Sequence, residues 1–141
     1  SSGSPDAADP VEKLSSRPDF AILIYPVISF LPPHAHQGSR ENLLGPGAPD
    51  SLVLAFSSEL QVRRGMPPTF LAHTTEDTAV PPENSILFYQ ALRQANVPAE
   101  IHIFQQGRHG LGLGPDELPF SEWPSLCEKW LKAMGFLKVN E

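Results

Sequence analysis

An acid and a histidine follow two apolar segments of this chain. Residues 69–73 (Thr-Phe-Leu-Ala-His) lead into a turn that contains Asp77, and residues 100–104 (Glu-Ile-His-Ile-Phe) lead to His109, which stands among glycines. A carboxylate that accepts a hydrogen bond from an imidazole N–H fixes the tautomer of the ring and stabilises the imidazolium formed when the ring takes a proton. Asp77 and His109 are therefore the candidate acid and base of a nucleophilic catalyst.

The surrounding segments predict the elements that would bring this pair together. Residues 20–25 form a continuous apolar run, which is typical of a strand buried on both faces of a parallel sheet. Residues 69–73 and 100–104 predict two more strands, the second nearer the sheet edge because polar and apolar residues alternate in it. With a helix between them, these two strands form a βαβ unit. We therefore expect Asp77 and His109 at the same edge of the sheet.

Helix signals lie between and after these strands. The Pro-Pro-Glu stretch at 81–83 favours a helix start, and Asn96 favours its end in the left-handed conformation. A last helix is expected with Ser121 as its N-cap and Gly135 at its end.

Residues 31–62 differ from the rest. They are rich in proline and glycine, and they predict a long excursion over the active-site end of the sheet, with one short helix at 51–58 capped by Asp50. Residues 1–10 predict a flexible start, and residues 11–141 predict part of one α/β domain.

Composition excludes several classes of protein. The net charge is −6 and the chain has no basic run, so neither nucleic acid nor a membrane surface is an expected partner. The single cysteine, Cys127, rules out an internal disulfide framework and predicts an inert buried thiol. His34 and His36 lie in a proline-rich loop and are expected at the surface, so the sequence predicts no metal site and no cofactor. Both a cytoplasmic chain and an exported chain with a removed signal agree with these features.

The predicted sheet is thin. The strand at 20–25 looks central, and a central strand without a neighbour on one side would expose an unpaired apolar edge. We therefore expect an incomplete sheet whose missing strands come from outside this chain, in a companion chain, a homodimer or an upstream segment.

The motifs around these residues resemble the carboxyl-terminal part of an α/β-hydrolase. The resemblance covers roughly residues 6–136, with the fuller match to esterase/lipase-type members that are acetyl-xylan-esterase-like or associated with endo-xylanases. The shared residues are Ser-Ser-Arg-Pro-Asp-Phe at 15–20, Tyr-Pro-Val-Ile at 25–28, Gly-Ser-Arg-Glu-Asn-Leu-Leu-Gly at 38–45, Pro-Pro-Thr-Phe-Leu at 67–71, Asp77, and Gly-Arg-His-Gly at 107–110. The order of acid before histidine is also that of this fold.

The resemblance implies a serine hydrolase, specifically a carboxylesterase acting on a small ester such as an acetylated carbohydrate. Asp77 and His109 would be two members of its Ser-Asp-His triad. The family's Gly-x-Ser-x-Gly nucleophile elbow is absent from the sequence, so an upstream segment or a companion chain would supply the serine, and this chain alone is expected to be inactive. Two alternatives stand beside this hypothesis: a peptidase of the prolyl-oligopeptidase type, and a non-catalytic half-protein or interaction module that pairs through its open sheet edge.

Overall fold

Three parallel strands with helices on both faces form the protein, as seen in a computed structural model that describes residues 3–138. The strands are β1 (Ala21–Ile24), β2 (Thr69–Thr74) and β3 (Ala99–Phe104), and their order in the sheet is β1-β2-β3. The predicted α/β class and the incomplete parallel sheet are thereby confirmed.

The central strand is β2, and all of its residues are buried. Its alternating side chains divide the core between the two faces of the sheet. Leu71 packs on one face with Phe88, Leu92 and other residues. Phe70 and Ala72 pack on the other face, with a cluster that includes Phe120, Cys127 and Trp130.

Residues 3–138 hold four helices: α1 (Gln37–Leu44), α2 (Asp50–Phe56), α3 (Glu83–Gln94) and α4 (Trp123–Ala133), with 3₁₀ turns at Ser58–Gln61 and Pro119–Glu122. Helices α3 and α4 pack on opposite faces of the sheet. Helix α3 connects β2 to β3, as the βαβ pattern predicts. It ends before Asn96, which takes φ 55°, so the prediction of a left-handed residue at this helix end is confirmed.

The excursion between β1 and β2 holds more helix than the sequence indicates. The prediction of a single helix there is wrong, because α1 is a helix as well. It buries none of its residues, so it lacks the apolar stripe by which helices are recognised in sequence. Its N-cap is His36, an unusual capping residue, whose Nδ1 accepts a hydrogen bond from the amide of Ser39 at 3.2 Å.

Two predicted helix caps are also wrong. Pro49, not Asp50, is the N-cap of α2, and Asp50 lies in the first turn, where a negative charge is favourable. Ser121 lies in the 3₁₀ turn before α4, and its hydroxyl donates to the carbonyl of Leu118 at 2.8 Å. The helix begins two residues later, with a proline in its first turn.

The start of the described chain is a turn-rich segment. Residues 1–2 and 139–141 lie outside the described residues. The amide of Ser4 donates to the carbonyl of Glu12 at 2.8 Å, which closes a turn-rich segment on itself. The flexible start at residues 1–10 and the domain boundaries stay predictions.

Candidate active site

The loops that follow β2 and β3 leave the sheet side by side. The two strands pair in register, with Thr74 opposite Phe104, and the amide of Thr75 extends the ladder by donating to the carbonyl of Phe104 at 2.8 Å. We call residues 75–82 the acid loop and residues 105–118 the histidine loop. Because parallel strands end at one edge, side chains on these two loops can meet there.

Asp77 is held rigidly within the acid loop. Its side chain is 0% exposed. Its Oδ1 accepts hydrogen bonds from the backbone amides of Ala79, at 3.1 Å, and Val80, at 2.9 Å. A carboxylate bonded to two amides of its own turn has little rotational freedom, so the second oxygen points in a fixed direction.

The second oxygen of Asp77 meets His109. Nδ1 of His109 lies 2.7 Å from Asp77 Oδ2. A carboxylate oxygen accepts, so Nδ1 carries the proton and Nε2 of the neutral ring holds a free lone pair. Among the hydrogen bonds of residues 3–138, Nε2 has no partner, and the imidazole is 37% exposed. The structure thus brings together the two residues predicted from sequence, with the basic nitrogen facing outward.

Gly107 joins the two loops. Its carbonyl accepts from the Thr74 hydroxyl at 2.7 Å, and its amide donates to Glu76 Oε2 at 3.2 Å. Its φ of +136° is accessible to glycine and rarely to other residues, and a Cβ there would lie 2.6 Å from Leu111. Gly107 is therefore required for the close approach of the histidine loop to β2.

Tyr25 supports the other side of the imidazole. Its ring meets the His109 ring edge-on, with centroids 4.9 Å apart, and its hydroxyl accepts a hydrogen bond from the amide of Gly112 at 3.0 Å. Tyr25 has φ +42°, which is rare for a bulky residue and costs about 1–3 kcal/mol. Strain of this kind persists only where surrounding contacts impose it. Tyr25 is thus a site residue, whereas the sequence predicts it only as part of a strand and of a motif.

His73 lies behind the acid. It is fully buried on β2, and its Nε2 is 3.3 Å from Asp77 Oδ2. Burial lowers the pKa of His73, an effect opposed by its hydrogen bond to the Val80 carbonyl and by the negative charge of Asp77. His73 is therefore a core residue that packs behind Asp77.

The remaining polar residues considered from sequence lie elsewhere. His34 Nδ1 is 3.9 Å from Glu83 Oε2. Ser39 lies in helix α1. His102 is half-buried because its ring packs against Phe70. In the part of the chain that the structure describes, no group of three or more His, Cys, Asp or Glu side chains could hold a metal ion.

The single cysteine lies in the packed core. Cys127 is buried in the cluster beneath α4, where desolvation raises the pKa of its thiol and keeps it protonated.

Within residues 3–138, none of the helices has the length and apolar character needed to cross a membrane.

A parallel sheet covered by helices, with an acid and a histidine on consecutive strand-end loops, defines part of an α/β-hydrolase. The profile of the prolyl oligopeptidase family matches residues 51–126, more than half of the chain, and the chain belongs to this family. The resemblance to α/β-hydrolases inferred from sequence is confirmed.

Several known proteins are similar to this chain. It is 43% identical over 119 residues to endo-1,4-beta-xylanase B of Butyrivibrio fibrisolvens, covering 84% of this chain and 18% of the relative. It is 37% identical over 102 residues to an acetylxylan esterase of Xylanibacter ruminicola, covering 70% and 21%. The crystal structure of an acetyl ester-xyloside bifunctional hydrolase from Caldicellulosiruptor lactoaceticus matches with a TM-score of 0.92 and 50% identity, covering 98% of this chain and 50% of that chain. This chain therefore spans about a fifth of its curated relatives and half of that hydrolase.

Proposed function

We propose that this chain supplies the acid and the base of a serine ester hydrolase. The observation that carries the proposal is the 2.7 Å hydrogen bond from His109 Nδ1 to the buried Asp77, with the opposite ring nitrogen free and facing solvent. This is the arrangement that a general base needs, because the bonded carboxylate fixes the tautomer while the free lone pair can take a proton.

In the proposed reaction, Nε2 of His109 removes the proton of a serine hydroxyl as the serine oxygen attacks the ester carbonyl carbon. The tetrahedral intermediate collapses, and the same nitrogen gives that proton to the departing alcohol. Water then repeats the sequence on the acyl-enzyme: His109 takes a proton from water, the acid is released, and the serine regains its proton. Asp77 stays ionised throughout and stabilises the imidazolium.

The substrate class follows from the similar proteins. Their names include an acetylxylan esterase and an acetyl ester hydrolase. Within the proposal the substrate is a small ester, such as an acetyl group carried by a plant polysaccharide.

The nucleophile in this proposal comes from an upstream segment or a companion chain. The sequence holds no Gly-x-Ser-x-Gly elbow. In the described residues β1 pairs only with β2, and Ile22 on β1 is 37% exposed, so the far edge of β1 is open for a further strand.

A complementation experiment tests the proposal. The chain is expressed together with the part of the Caldicellulosiruptor hydrolase that it does not cover, and we call the product the complemented enzyme. We expect it to hydrolyse 4-nitrophenyl acetate and acetylated xylan, while each part alone is inactive. Asp77→Asn should lower kcat by about 10⁴-fold and leave KM near that of the parent, because the wrong tautomer faces the serine. Unchanged turnover in Asp77→Asn would refute the assignment.

A peptidase is the second candidate, favoured by the family match at residues 51–126. The same acid and base serve amide hydrolysis, so the substrate decides between the two functions. The peptidase would be favoured if the complemented enzyme cleaved proline-containing peptides and hydrolysed acetyl esters only slowly.

The open edge of β1 also fits a non-catalytic pairing module. In that case the chain would form a stable dimer or bind a companion strand, as measured by light scattering, and no combination with a serine-bearing polypeptide would be active.

A further inference from the structure

His73 is the one buried histidine among the five of this chain, all of which lie in the described residues. It belongs to β2 and faces the same side of the sheet as Leu71, toward α3. A fully buried imidazole must satisfy both of its nitrogens within the protein, because burial without partners is costly.

Both nitrogens of His73 have partners, and they fix its tautomer. Nε2 lies 2.9 Å from the carbonyl oxygen of Val80, which can only accept, so Nε2 carries the proton. Nδ1 lies 2.8 Å from the hydroxyl of Ser85 on α3. Because burial lowers the pKa of His73, the ring is neutral, and the Ser85 hydroxyl therefore donates to Nδ1.

The Nε2 atom of His73 also lies 3.3 Å from Asp77 Oδ2, the oxygen that accepts from His109. Oδ1 is bonded to two backbone amides of the acid loop, so Oδ2 is the only oxygen left to be aimed. His73 occupies the buried side of this oxygen, and His109 occupies the exposed side.

From this geometry we propose that His73 is a positioning residue, which holds the acid loop at Val80 and aims the Asp77 carboxylate at His109, while Ser85 anchors the other nitrogen of the ring on α3. The inference rests on the proposed function, since it assigns a role toward the same acid and base.

A neutral ring is what this role requires. An imidazolium at His73 would compete with His109 for the Asp77 charge, and two imidazolium ions beside one carboxylate would repel each other. The positive charge that His109 acquires on taking a proton lowers the pKa of His73 further, so His73 stays neutral while His109 works. An apolar residue of similar size could fill the same space but could not hold the Val80 carbonyl.

The test compares four variants, one of them Ser85→Ala, in the 141-residue chain and in the complemented enzyme. His73→Leu keeps the bulk and removes both hydrogen bonds, and His73→Gln keeps a side-chain N–H and an oxygen. The matched control is His102→Leu, on the neighbouring strand, where the imidazole contacts Glu100 at 2.8 Å instead of the acid loop.

Nuclear magnetic resonance of the imidazole nitrogens gives a readout that mere packing would not move. We expect His73 to be the Nε2–H tautomer in the parent chain and to remain so in Ser85→Ala, because the Val80 carbonyl can only accept. We expect the His109 Nδ1–H signal to weaken or shift upfield in His73→Leu, and to be kept in His73→Gln and His102→Leu. In the complemented enzyme, His73→Leu should lower kcat by about 10- to 100-fold with KM within twofold, since small misplacements of catalytic groups have effects of this size.

Two results would overturn the inference. One is an unchanged His109 Nδ1–H signal in folded His73→Leu, and the other is the Nδ1–H tautomer of His73 in the parent chain. If His73→Leu does not fold, the tautomer of His73 in the parent chain decides. Failure of the proposed function looks different: Asp77→Asn would then keep full ester hydrolysis, whatever the imidazole signals show.

Discussion

The acid loop and the histidine loop each carry one residue of the proposed pair, and they are built in opposite ways. In the acid loop, Asp77 is fully buried and both of its oxygens have partners. In the histidine loop, His109 is partly exposed and one of its nitrogens is bonded. Four glycines of this loop have positive φ: Gly107, Gly110, Gly112 and Gly114. The fold itself therefore fixes the acid, whereas a few contacts place the base and keep its reactive nitrogen accessible.

Alanine substitutions of Asp77 and His109 should have the largest effects, and they should distinguish the acid loop from the histidine loop by their effects on stability. Both Asp77→Ala and His109→Ala should lower kcat of the complemented enzyme by about 10⁴-fold or more, because the members of a triad act as a unit. Stability should differ. Asp77→Ala leaves the amides of Ala79 and Val80 without their acceptor and should lower the free energy of unfolding by about 2–3 kcal/mol.

His109→Ala should lower the free energy of unfolding by about 1 kcal/mol or less, since water can reach the exposed side of Asp77 Oδ2 once the ring is gone. Urea unfolding monitored by circular dichroism measures both losses, with His102→Ala as the control for removing a histidine from β3. Equal losses of stability in the two variants would show that the histidine loop is as firmly built as the acid loop.

Glycine substitutions test the histidine loop itself. A Cβ at Gly107 would lie 2.6 Å from Leu111 and 3.0 Å from Thr74, in a backbone conformation that is strained for any other residue. We expect Gly107→Ala to lower the free energy of unfolding by about 2–3 kcal/mol. The matched control is Gly110→Ala, which meets no atom within 4 Å and should cost about 1 kcal/mol from its positive φ alone. Similar urea midpoints for the two variants would contradict this account of Gly107.

The sheet and the pairing of Asp77 with His109 could be predicted because they rest on local signals. The strands are marked by apolar residues, continuous in β1 and alternating with polar ones in β3. The helix between β2 and β3 has an apolar stripe and a clear stop at Asn96. A parallel sheet then brings the two strand ends to one edge whatever the loop details, so the acid and the histidine follow from topology.

The parts that the sequence missed depend on contacts between distant residues. Helix α1 buries nothing and is capped by a histidine, so no periodicity marks it. Tyr25 reaches the site because it bends at positive φ after β1 and meets a loop more than 80 residues later, which no local pattern encodes. Its place at a strand end, next to the loops that carry function, was the one available signal.

The buried His73 makes the stability of the acid loop depend on pH. Its pKa is lowered in the folded protein, whereas in the unfolded chain it is about 6.5. Below about pH 6.5 the unfolded state therefore binds more protons, so stability is fully present above this pH and falls as the pH decreases, by at most about 1.4 kcal/mol per pH unit.

Unfolding by urea at pH 7.5, 6.5 and 5.5 measures this effect in the parent chain and in His73→Gln. Asp77 and His109, the titratable groups that interact with His73, are kept in both. We expect the stability advantage of the parent chain over His73→Gln to shrink between pH 7.5 and 5.5, while the difference between the parent and His102→Gln does not follow this trend. Parallel stability curves for parent and His73→Gln would show that His73 titrates alike in both states.

The smallest expected effect concerns the contact that places the base. Tyr25→Phe keeps the ring edge against His109 and removes the hydroxyl that accepts from the Gly112 amide at 3.0 Å. This partly exposed hydrogen bond contributes about 0.5–1 kcal/mol, so we expect a small loss of stability and a modest decrease in kcat. Hydrogen exchange at the Gly112 amide should accelerate about tenfold or less. The matched control is Tyr89→Phe on α3, the other tyrosine of the chain. If exchange at Gly112 were as slow in Tyr25→Phe as in Tyr89→Phe, the Tyr25 hydroxyl would not contribute to holding the histidine loop.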